Sequence, residues 1–245
     1  MKSRIEVLPP WGKYVSLIGL IGGSALIGQQ STGSIQGTVL DQGNNKAISG
    51  AYVTATRSGL PPSSQTVKSA SDGSFQLQGL SAGTYTVCVQ VVSQAYLNPC
   101  DWSGNGRAPV NPANSVSINA GQKSTGTTLK LQTGSILTVK MQDTAQLLNQ
   151  KTKSGYAPDL MLGVAGPART FHQMRAAAAD ATGTTYQVVV PFDMPLNVQV
   201  KSRALKLGDA TGAALAANAT TQAFQHATGE SNPKTFTFTV LGLNP

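Results

Sequence analysis

The sequence predicts an all-β chain, with two β-sandwich domains in tandem behind an N-terminal signal peptide. Three observations carry this. Short runs rich in β-branched and aromatic residues alternate with polar ones. Gly- and Asn-rich turns recur at intervals of about ten residues, as sandwiches require. Thr32-Gly33-Ser34-Ile35 returns as Thr133-Gly134-Ser135-Ile136, about one hundred residues later. That period is too long for a solenoid and suits a duplicated domain.

The leader comes first. Lys2, Arg4 and Lys13 precede an apolar run from Tyr14 to Gly28, and polar Gln29-Gln30-Ser31-Thr32 follows. A basic segment, a short apolar segment and a polar start describe a secretory signal over residues 1–28, with retention of the leader as an uncleaved anchor the alternative. The run falls short of the ~20 residues of a spanning helix, so no membrane span is expected in the mature chain. The expected domains are then 32–131 and 133–245, meeting at Gln132-Thr133.

In the first domain, Ser34–Asp41, Ala51–Thr56 and Thr84–Val89 read as strands. Asp72-Gly73 between apolar runs is a hairpin signal. Phe75, Leu77, Leu80, Tyr85 and Val87 alternate toward one core face. Alternation puts Val87, Val89 and Val91 on one face of their strand and Cys88 on the other. In the second domain, Ser135–Asp143 matches the opening strand. Arg175–Asp180 is read as a strand end and turn, despite the helix propensity of its alanines. Residues 209–233, rich in Ala, Thr, Gln and Asn, are read as a long loop.

Composition narrows the function. Charged residues make up 11% and the formal net charge is +8; without Lys2, Arg4, Lys13 and Glu6 of the leader it is +6. The basic residues stand singly along the chain rather than on one face, so no nucleic-acid partner is expected.

The first domain resembles the carboxypeptidase regulatory-like family, whose transthyretin-like, carbohydrate-binding-like sandwich implies a prealbumin/immunoglobulin-like fold. The residues that carry the resemblance are Gly37-Thr38-Val39-Leu40-Asp41, Ile48-Ser49-Gly50-Ala51-Tyr52-Val53, Ser71–Leu77 and Leu80–Val87. The second domain keeps the outline without the Asp-Gly turn. The resemblance implies a fold and an accessory role as a stalk, adhesion module or appendage; the peptidase domain that names the family is absent from the sequence.

Catalytic groups are sparse. His172 and His226 lack metal-ligand spacing, and ordinary surface or edge positions are expected for both. There is no nucleophile elbow and no phosphate loop. Asp41 and Asp72 are expected to cap turns. The chain is therefore read as a non-enzyme without cofactor or metal. Its expected role is that of an exported structural or protein-interaction module, secreted, periplasmic or at the cell surface. Its expected partner is another envelope or extracellular protein, or a glycan. A carbohydrate-binding module is the alternative, with Trp102 and Tyr96 as possible ligand contacts, although packing of Trp102 against its own loop is favoured. Export places the only two cysteines, Cys88 and Cys100, in an oxidising compartment, which predicts a disulfide between them.

Overall fold

The computed structural model describes residues 31–59, 61–91, 94–102, 114–151, 155–166, 171–230 and 234–244. The expected signal peptide, 1–28, lies outside them. Among the described residues no helix is long and apolar enough to cross a membrane.

Seven strands make the first sandwich: β1 (Gly33–Asp41), β2 (Tyr52–Arg57), β3 (Ser63–Lys68), β4 (Ser74–Leu80), β5 (Gly83–Gln90), β6 (Ser115–Ile118) and β7 (Lys123–Leu131). One sheet has the order β4-β1-β7 and the other β3-β2-β5-β6. Central β1 pairs antiparallel with β4 and parallel with β7. Strand β5 alternates as expected, with Tyr85, Val87 and Val89 buried and Cys88 on the opposite face. The core joins Ile35, Leu77, Leu80, Tyr85, Val87 and Leu129 from both sheets.

The second sandwich has nine strands: β8 (Ser135–Gln142), β9 (Met161–Ala165), β10 (Phe171–Gln173), β11 (Arg175–Asp180), β12 (Gly183–Val190), β13 (Leu196–Lys201), β14 (Leu205–Gly208), β15 (Ala219–Phe224) and β16 (Thr235–Leu243). Its sheets run β11-β12-β8-β16-β14 and β10-β9-β13-β15. The opening strand β8 again pairs antiparallel with one neighbour, β12, and parallel with the other, β16. The second sheet, β10-β9-β13-β15, repeats the pairing pattern of β3-β2-β5-β6. The repeat seen in Thr-Gly-Ser-Ile is thus a repeat of topology, with β11 and β14 added at the two edges of one sheet.

Three sequence expectations change. The turn at Asp72-Gly73 is not a β-hairpin, because β3 pairs with β2 and β4 with β1, and the turn carries the chain from one sheet to the other. Arg175–Asp180 is a full edge strand, held by backbone pairing to β12. Tertiary hydrogen bonding overrides the helix propensity of its alanines. Residues 209–233 are not one loop, because Ala219–Phe224 pairs with β13 over six residues. Polar Thr220, Thr221 and Gln222 hid that strand, since a half-exposed edge strand needs little apolar alternation.

Candidate functional site

The described residues from Ser31 onward form one compact unit, and its two cores are joined through the segment that follows β5. Cys88 in β5 is bonded to Cys100, with Cα atoms 5.5 Å apart. This is the predicted disulfide. Asn98 builds the turn that delivers Cys100: its side chain accepts the Cys100 N–H at 3.0 Å, and its carbonyl accepts the N–H groups of Asp101 and Trp102.

Trp102 then leaves the first sandwich. It is only 6% exposed and belongs to the second core, the cluster that includes Leu137, Val190 and Leu196. Its ring stacks on His172 of β10, with centroids 3.9 Å apart and planes 28° apart. The expected packing against its own loop is replaced by packing across the junction. The physical reason is area: an indole buries far more apolar surface in a sandwich core than against a short polar turn. Leu97 enters the same core.

Tyr96 stays at the junction. Its hydroxyl donates to Asp41 Oδ2 at 2.7 Å, and its backbone bridges to Thr133. Leu97 N–H donates to Gln132 C=O, and Gly134 N–H donates to Ala95 C=O. These bonds clasp the expected domain boundary. Partial burial, with Asp41 beside it, pushes the Tyr96 phenol up to about 12. The same hydrogen bond holds the Asp41 carboxyl below its ordinary range, helped by the N–H groups of Asn44 and Gly43. Asp41 thereby caps its turn as expected, accepting from Gly43 and Asn44 at 2.7 and 3.0 Å.

A groove of about 770 Å³ opens beside this segment. Gln90, Gln94, Gln173 and Gln187 bring amides to it, and Ile136 and Val189 bring apolar surface. Arg175 donates across the junction to the Gln90 side chain.

Both histidines are buried rather than at the surface, although His172 lies on an edge strand, β10, one of the two positions expected for it. His172 is 8% exposed and its Nε2 has no hydrogen-bond partner. Burial lowers its pKa, while Asp101 pulls the other way. The stacking partner that makes burial worthwhile, Trp102, is 70 residues away in sequence and left no local signal. His226 sits between the Ser135 hydroxyl, which contacts Nδ1, and Glu230, whose carbonyl and carboxylate lie 3.1 and 3.5 Å from Nε2. Lys234 closes on Glu230 at 2.7 Å. The residue types are those of a hydrolase, but Ser135 is 5% and His226 3% exposed. Phe192 covers the ring edge-on. No substrate carbonyl reaches a hydroxyl sealed in this way, so the group ties His226 and Glu230 to the start of β8. Among the described residues, no three His, Cys, Asp or Glu side chains gather as metal ligands.

Comparison with known proteins gives a family match and loose structural overlaps. No curated protein matches the chain. The Bacillus anthracis TIE protein overlaps with a TM-score of 0.32 at 16% identity, over 86% of this chain and 34% of that one. A streptococcal ancillary pilin overlaps with a TM-score of 0.36 at 9% identity, over 86% of this chain and 63% of the pilin. A DUF3823 family protein from Bacteroides uniformis overlaps with a TM-score of 0.28 at 14% identity, over 80% of this chain and 99% of that one. The chain thus spans less than two thirds of the first two. The family match is narrower in extent and agrees with the motifs of β1, β4 and β5: residues 34–132 match the carboxypeptidase regulatory-like domain.

Proposed function

We propose that this chain is an exported, non-catalytic module of the cell envelope, serving a structural or protein-interaction role. The observation that carries the reading is the Cys88–Cys100 disulfide inside a family-matched sandwich. Such bonds persist in oxidising compartments. The polar groups also favour a scaffold. Asp41, Asp72, Asp143 and Asp209 accept from turn N–H groups, and Ser135 with His226 is sealed. The partner is another envelope or extracellular protein. Fractionation of the native host, followed by cross-linking on intact cells, tests this. The reading expects the chain outside the cytoplasm and cross-linked to an envelope protein. A soluble cytoplasmic chain contradicts it.

A carbohydrate-binding reading has one observation in its favour, the amide-lined groove. It rests on that groove, which Tyr96 and the largely buried Trp102 help to line. Glycan-array binding abolished by Gln94→Ala and Gln187→Ala would support it. No binding to any glycan on the array would remove it.

A further inference from the structure

Leu97 and Trp102 lie by sequence between β5 and β6 of the first sandwich, yet both belong to the second core. Their hold there is apolar, reinforced by the Trp102–His172 stack. Their tie to the first sandwich is hydrogen-bonded at Tyr96 and Leu97 and, for Trp102, covalent as well, because Cys100 stands two residues before it and is bonded to β5 through Cys88. Without the bond, the connection from β5 to β6 spans residues 91–114. Ordering Trp102 within so long a connection costs conformational entropy that the closed bond has already removed. Both cysteines are half-buried, which leaves the bond within reach of a small thiol.

We propose that the Cys88–Cys100 disulfide is a redox-sensitive pin that couples the two sandwiches through Trp102. Closed, it holds the indole in the second core, and the sandwiches unfold together. Opened, it releases Trp102, and each sandwich unfolds by itself. The opening agent is a dithiol. Its thiolate attacks one sulfur, the S–S bond breaks, and a mixed disulfide forms. The second thiol then resolves that intermediate. Two electrons pass to the protein, each cysteine gains a proton, and the dithiol leaves as its cyclic disulfide.

The proposal concerns the folded chain in any compartment, so its failure and that of the export reading are separate results. The test uses the full chain carrying Trp11→Phe, which leaves Trp102 as the only tryptophan. Oxidised protein is expected to show shielded tryptophan emission and one calorimetric transition. After reduction of the folded protein with dithiothreitol, emission moves to the red, acrylamide quenching rises several-fold, and the transition splits in two. Reoxidation reverses all three. Trp102→Ala with the disulfide intact splits the transition likewise. Shielded emission and one unchanged transition after reduction would overturn the proposal. So would a single transition in Trp102→Ala, or two transitions already present in the oxidised chain.

Discussion

At the scale of the residue, the junction depends on two polar details. Tyr96 donates to Asp41 across 55 residues. Tyr96→Phe removes that bond and costs about 1 kcal/mol of stability at neutral pH, measured by urea unfolding. It also moves acid unfolding. Asp41 is held below its ordinary 3.8 in the folded chain. Its contribution is therefore complete above that value and lost as pH falls through the lower folded value. In Tyr96→Phe the folded value rises, and the acid midpoint moves to higher pH. His172 gives a second test. Burial depresses its pKa from 6.5, so the unfolded chain binds the proton first, and stability declines as pH falls below 6.5. His172→Phe keeps an aromatic face against Trp102 and flattens the pH dependence of thermal midpoints between pH 7 and 5. An unchanged slope would contradict the account. Little of this was legible in the sequence. Asp41 reads as a turn cap from its neighbours, but its bond to Tyr96 and the stack on His172 are contacts between distant segments.

At the scale of the element, local chemistry was legible where turns and alternation agree. Gly73 takes φ +77°, and a Cβ there would stand 2.6 Å from the Val39 carbonyl. Asp72 accepts from Ser74 N–H at 2.9 Å. Gly73→Val meets both the wrong backbone region and a backbone atom, and destabilises the first sandwich by about 2 kcal/mol or more. Calorimetry of the variant checks this. The Asp72-Gly73 turn passes the chain from one sheet to the other, whereas at the matching place the second sandwich forms a paired hairpin, β11 to β12. Asp180 accepts from Thr182 N–H and hydroxyl, and Gly183, at φ +141°, lies against the Met141 carbonyl. The glycine has moved from the turn to the start of β12, which is why the Asp-Gly signal is absent while the hairpin is not. Strand β11 shows the limit of sequence reading. Four alanines carry no alternation, and only pairing to β12 makes them a strand.

At the scale of the whole molecule, duplication was legible and the coupling was not. The spacing of Thr-Gly-Ser-Ile foretold two equivalent opening strands. It carried no sign that a segment of the first sandwich would complete the core of the second. We propose domains at 32–131 and 133–245, with the boundary at Gln132-Thr133. Ala95, Tyr96 and Leu97 bond to Gly134, Thr133 and Gln132 there, so a protease should spare this boundary in the native oxidised chain and cut it after reduction. Cleavage at 132–133 in the oxidised chain would show the clasp to be open. The most direct measurement bears on the central claim, an exported chain whose β5–β6 connection is pinned to β5 by a disulfide. Protein isolated from its native compartment under alkylating, non-reducing conditions is digested and analysed by mass spectrometry. The account predicts one cross-linked peptide pair joining Cys88 to Cys100. Recovery of both cysteines as alkylated thiols would contradict it.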